Sequence, residues 1–346
     1  MSFNLCVTNL FRYATSELSQ DAFICWLLSH LTEDGWDSDP QIRECAMVFM
    51  NRILRSKNQQ GYCDDWRIQK IEKQYDNIDV LVYFNDFRII LEDKVATNVH
   101  DNQIERYKEA LLKSEPWLSR DNIITVYYKI FDQPRPEKGV DCEFTREDLL
   151  SIFRRYQETI ENPIFRNYLE YLEWIEYRAN SYQFLKIEDW TPDSYRGFFK
   201  HLQKDLESGP NPLWGKDCSW GYVSNPSGGF MALWLSDLFT SDELDAMGLT
   251  EDICDNLYLQ IENDIIAVKY SVDPKNNPAP SKSTQARLTL YEYLRDQLDG
   301  EFEKKTFRYG TFMTVGYIRY NESNYHQQLA KILNALQALK CVGKII

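Results

Sequence analysis

The stretch Ile78-Asp79-Val80-Leu81-Val82-Tyr83-Phe84, Asn85-Asp86, Phe87-Arg88-Ile89-Ile90-Leu91-Glu92-Asp93-Lys94 decides how the amino-terminal half is read. Two apolar runs flank a short polar pair, the signature of a β-hairpin. Side chains alternate across a strand, so Glu92 and Lys94 share one face and Asp93 points to the other, towards solvent or the rear of the site. Three charged residues closing a strongly apolar strand are costly if buried without partners. A divalent cation resolves the conflict, because hard ions such as Mg²⁺ take carboxylate oxygens as ligands. Asp79 and Glu92 are the candidate metal ligands, with the main-chain carbonyl of Asp93 as a further one. Mg²⁺ or Mn²⁺ is the expected ion. Lys94 would orient or deprotonate a water and offset charge developing on a phosphate.

Upstream, apolar residues recur at helical spacing through Leu18, Ala22, Cys25, Leu28 and Leu31, predicting a helix over 16–31 with Ser16 as its N-cap. Ile42 to Leu54 predicts a second helix, and 67–75 alternates weakly as a strand. Downstream, Asn102 to Leu112 returns to helical periodicity and Ile123 to Ile130 reads as a strand. The expected fold class is α/β (α+β), a mixed central sheet covered by helices. A charged, proline-rich loop spans 132–139, followed by helical segments over 147–184 and 192–207. Gly209-Pro210-Asn211-Pro212 is the strongest internal boundary signal. Beyond it, strands are expected at 220–224, 230–235, 257–261, 265–272 and 311–319, with helices at 284–298 and 325–340. The expected organisation is a core over 1–135, a helical segment over 136–208 and an α+β region over 209–346.

The ordered set Ile78-Asp79, then Glu92-Asp93-Lys94, then Gln103-Ile104-Glu105-Arg106-Tyr107 resembles the PD-(D/E)XK nuclease superfamily. The last segment is similar to the Q-x-x-x-Y motif of its RecB-like branch. The resemblance implies a restriction-endonuclease-like core and metal-dependent hydrolysis of phosphodiester bonds in DNA. It also implies that Gln103 and Tyr107, on one helical face, lie beside the metal and the substrate backbone. Glu17-Leu18-Ser19 with Phe23-Ile24-Cys25-Trp26-Leu27-Leu28 is similar to the opening helix of a bacterial subfamily, which implies Glu17 as a further carboxylate at the metal. A role in bacterial defence and action as a homodimer are further expectations of this kind. No proline precedes the acidic position, where Asn77-Ile78 stand, and no histidine occupies the opening helix where some branches carry one.

Composition limits the alternatives. Hydrophobic residues make up 43% and charged residues 27%, the balance of a globular chain. The net charge of −14 means that the surface as a whole repels polyanions, so nucleic acid needs either a locally basic groove or carboxylates that hold cations. The eight cysteines are scattered with no C-x-x-C pair, which argues against a zinc ribbon. Met1 to Asn9 lack a signal-peptide pattern and no apolar run reaches the roughly 18 residues that span a bilayer, so a cytoplasmic, reduced location without membrane contact is expected. His100 reads as a phosphate contact or a loop residue, and Lys304, Lys305 and Arg308 as a contact to nucleic-acid backbone or a solvated face. The Asn225-Pro226-Ser227-Gly228-Gly229 stretch reads as a hairpin turn. Two rivals stand beside the nuclease reading: an inactive nuclease-fold module that binds nucleic acid or a protein, and an acidic interaction protein whose carboxylates are surface charge.

Overall fold

Two tight turns set the centre of the first sheet. Asp76 (φ +49°), Asn77 (φ +69°) and Asn85 (φ +51°) take the left-handed backbone that short polar side chains tolerate. They join β1 (Ile68–Tyr75) to β2 (Ile78–Phe84) and β2 to β3 (Phe87–Asp93). The expected hairpin forms, with β2 and β3 antiparallel from Val80↔Leu91 to Phe84↔Phe87. In the computed structural model the described residues are 3–57, 66–94, 103–208, 217–225, 228–249, 254–272, 280–304 and 306–344. His100, Asn102, Lys305, the turn residues Pro226 and Ser227 and the boundary signal at 209–212 lie outside them.

The sheet continues from β3 to β4 (Ile123–Lys129) and β5 (Cys142–Thr145), both added in parallel, in the order β1-β2-β3-β4-β5. One face packs against α1 (Glu17–Ser29) and α2 (Pro40–Ser56), burying Val80, Val82, Leu91 and Val126 with Ile24, Leu28, Phe49 and Ile53. The other face meets α3 (Gln103–Ser114) through Leu81, Ile90, Tyr107 and Leu111. Each such apolar side chain contributes roughly 1.5–3 kcal/mol when fully buried, so the hairpin is held from both sides. The helical stretch expected from 147 divides into α4 (Arg146–Phe153), which Thr145 and Asp148 start with a capping box, and α5 (Pro163–Ala179). Leu149, Phe153, Tyr168 and Leu172 from these helices join the same core as Ile24 and Val80. The chain accordingly forms two compact units, Met1–Arg178 and Ala179–Ile346.

In the second unit the expected helix at 192–207 and the expected strands form α6 (Pro192–Ser208), β6 (Asp217–Asn225), β7 (Gly228–Ser236), the short α7 (Ser241–Ala246), β8 (Asn256–Glu262) and β9 (Ile265–Ser271). They are followed by α8 (Pro280–Gln297), β10 (Phe312–Arg319) and α9 (Tyr325–Leu339). The strands make an antiparallel sheet in the order β10-β9-β8-β7-β6. Alternation along each strand sends Leu233, Leu259, Val268 and Val315 into a core shared with Phe199, Leu290 and Ile332 of α6, α8 and α9. Among the described residues no helix is long and apolar enough to cross a membrane.

Candidate active site

The carboxyl end of β3 carries the first cluster. Continued one step past Val80↔Leu91, the β2–β3 register sets Asp79 beside Glu92 on the face that looks at α3. Asp79 Oδ2 accepts from the Asp93 amide at 3.0 Å, which pins the end of the hairpin. Lys94 Nζ lies 2.5 Å from Glu92 Oε1 and 3.8 Å from Asp79 Oδ2. Its own amide donates to the Tyr128 carbonyl on β4, so the ammonium springs from fixed backbone. Gln103, the first residue of α3, donates from Nε2 to Glu92 Oε1 at 2.7 Å and to the Tyr107 hydroxyl at 2.5 Å. Tyr107 in turn donates to the Asn77 carbonyl at 2.5 Å. The expected residues Asp79, Glu92, Lys94, Gln103 and Tyr107 thus form one hydrogen-bonded group.

A second set of acids comes from behind. The buried face of α1 is Phe23, Ile24, Leu27 and Leu28, whereas Leu18 and Ala22 are exposed. The helix is therefore turned by about one residue from the stripe that the sequence suggests, because apolar side chains run nearly all the way round it. Ser16 holds the N-cap backbone geometry but its side chain makes no capping bond; its hydroxyl pairs with Ser19 instead. The turn brings Asp21 fully inside, one helical turn beyond Glu17 on the same face. Asp93 is likewise buried, at 1% exposure, so of the two places expected for its side chain it takes the rear of the site and not solvent. It points into the core on the α1 side of the sheet, where alternation sends it opposite to Glu92 and Lys94. Sequence reasoning missed Asp21, and its signal was a carboxylate three residues before Ile24 and seven before Leu28 on an apolar helix face.

These carboxyls hold one another in an unfavourable field. Burial, and then the charge of Asp79, pushes Asp21 up to about 7. Burial also pushes Glu92 up to about 7, against the favourable contact with Lys94. Burial raises Asp79 as well, and the neighbouring charge of Asp79 adds to the upward shift of Glu92. Asp93 is raised far above the usual carboxylate range by burial and by Asp21 and Asp79. Burial alone would lower Lys94, but Glu92, Asp79 and Glu17 outweigh it and the net direction is upward. Both oxygens of Asp21, both of Asp93 and Oε2 of Glu92 are buried with no hydrogen-bond partner. Lys94, and Lys73 where it acts on Asp21, do not balance so many acids.

A family model described as the PD-(D/E)XK nuclease superfamily matches residues 8–197, more than half of the chain. The chain belongs to this superfamily. The matched span contains α1 to α5 and the whole first sheet. Comparison with curated proteins and with solved structures gave no match. PD-(D/E)XK nucleases generally use divalent metal ions. Among the described residues no three His, Cys, Asp or Glu side chains stand ready together as a metal cage. The donor chemistry nevertheless fits a hard cation: Asp79 and Glu92 face each other, and the unpaired Oε2 of Glu92 has a lone pair to give.

Proposed function

We propose that this superfamily member is a divalent-metal-dependent nuclease that hydrolyses phosphodiester bonds of DNA. What carries the reading is the excess of buried, unpaired carboxylate oxygen beside the Lys94 ammonium, an arrangement that a divalent ion would neutralise. Asp79 and Glu92 would hold the ion, with the Asp93 main-chain carbonyl as a third oxygen; Glu17 and Asp21 add negative charge from α1. Mg²⁺ and Mn²⁺ both suit an all-oxygen donor set. A bound divalent ion would supply the charge that polarises the scissile phosphate and makes the attacking water more acidic.

The remaining roles belong to the side chains. Lys94, raised in the metal-free chain by Glu92, Asp79 and Glu17 against the effect of burial, would orient the attacking water and face charge that develops on phosphate oxygens. Gln103 fixes the orientation of Glu92 through Oε1 and leaves Oε2 open. Tyr107 locks Gln103 to the Asn77 turn, and with it the substrate-facing side of α3.

The test is incubation of purified protein with linear, circular and single-stranded DNA, and with RNA, in Mg²⁺, Mn²⁺ or chelator. Cleavage of DNA that needs the metal and falls by at least about a thousandfold in Asp79→Ala and in Lys94→Ala is expected. Cleavage unchanged in either variant, or undiminished in chelator, overturns the assignment. Defence against invading DNA belongs to the same reading, and would appear as plaque reduction by the wild type but not by Lys94→Ala.

A further inference from the structure

The sheet of the second unit has one face packed by helices and one face that none of the described helices covers. Strand alternation places Phe230 and Trp234 of β7, Tyr258 of β8, Lys269 of β9 and Phe312 of β10 on that second face. Together with small polar groups they line a groove of about 500 Å³. Trp234 is held upright by its indole N–H, which donates to Gln260 Oε1 at 3.0 Å. Lys269 stands among these rings and makes neither a hydrogen bond nor an ion pair among the described residues; Glu262 is the charged group that acts on it. Phe312, at 69% exposure, forms the rim.

Phe312 also borders a second cavity of about 450 Å³, lined by Arg287, Arg308, Thr306 and Thr314. Arg287 is 1% exposed, and its Nε has no hydrogen-bond partner. Its Nη1 donates to the Arg308 carbonyl, and its guanidinium lies over Phe307 with the carbon 4.4 Å from the ring centre. Tyr270 is the titratable group that acts on it, and no carboxylate does so among the described residues. Buried arginines are ordinarily paired with an acid. One without an acid, opening into a cavity with a second arginine and two hydroxyls, is built to receive an anion that the chain does not itself provide.

We propose that this face binds single-stranded nucleic acid, with bases stacked on Trp234 and Phe312 and backbone phosphate held by Arg287 and Arg308. The ring groove and the arginine cavity meet at Phe312, so one occupant must offer flat apolar faces on one side of that residue and an anion on the other. A polynucleotide repeats that pair of features along its length. A single strand leaves base faces free to stack on aromatic side chains, whereas a duplex hides them within its own stack. Lys269 then meets a second phosphate or a base edge.

This surface lies in a different unit from Asp79 and binding is read without cleavage, so the two readings fail separately. The experiment uses the full chain in chelator, with fluorescein-labelled oligothymidylate and oligouridylate of about twelve nucleotides and a duplex of the same length. Saturable binding of a single strand is expected. Phe312→Ala and Arg308→Ala, both at exposed positions, should each weaken it about tenfold with unchanged circular dichroism. An iodouracil-containing strand should crosslink to peptides carrying Trp234 or Phe312. Failure of both oligonucleotides to bind, equal affinity for the duplex, wild-type affinity in both variants, or crosslinks confined to Met1–Arg178 would overturn the proposal. So would complete displacement of the strand by millimolar mononucleotide or by a proline-rich peptide, which would mark a nucleotide pocket or a peptide groove.

Discussion

Asp21 is a carboxyl group buried with both oxygens unpaired, and its effect on stability has a definite sign. Burial lifts it from its ordinary 3.8 to about 7, so between those values the folded chain keeps a proton that the unfolded chain has released. Stability of the metal-free protein therefore falls as pH rises through that window, and the whole cost is present above about 7. A shift of that size corresponds to at most roughly 4 kcal/mol. Asp21→Asn removes the charge while keeping the shape. In chelator the variant should melt several degrees above wild type at pH 8, with the gain shrinking towards zero near pH 4. Equal melting temperatures at pH 8, or a larger gain at low pH, would contradict the buried-acid account. Cleavage in metal should move the other way and decrease, since Asp21 adds to the negative field that an incoming cation meets.

At the scale of the element, α3 works as a brace. Its first turn presents Gln103 to Glu92, and its second presents Tyr107 to the turn that leads into Asp79. Tyr107→Phe deletes a hydrogen bond worth about 1 kcal/mol and leaves the Asn77 carbonyl without that donor. Gln103→Ala removes the group that orients Glu92 and should reduce metal-dependent cleavage about 10–100-fold, chiefly through weaker metal affinity. A Gln103→Ala enzyme with wild-type metal dependence would show that the brace is only packing. The elements that carry this site were legible in the sequence for a physical reason. The hairpin alternates with period two, and the three charged residues that end it break that pattern where the fold has a use for them. Spacing put Gln103 and Tyr107 on one helical face, but only the resemblance, through their position after Glu92-Asp93-Lys94, implied that this face meets the site. The orientation of α1 was not legible, because a helix apolar on nearly every side gives no preferred stripe, and with it went Asp21. β5 was missed as well: four residues, Cys142–Thr145, between a proline-rich loop and a capped helix are too short to show a period.

At the scale of the whole molecule, every residue of the core around β2 and β3 comes from the first unit, and every residue of the core under β7 to β9 comes from the second. The two should unfold as separate events in calorimetry, because a cooperative transition follows a shared core. A divalent ion that binds only the folded first unit would raise one of the two. At a hundred times its dissociation constant the stabilisation is about 2.7 kcal/mol, which for a unit of this size moves the midpoint by roughly 5–10 °C. Asp79→Ala and Glu92→Ala should abolish the shift and leave the second transition where it was. The same ion bears on the net charge of −14, since each one bound at the acids removes two negative charges where the polyanion must approach. Movement of both transitions in Mn²⁺, or a shift that survives in both variants, would place the ion elsewhere and leave the acids of β2, β3 and α1 without their cation.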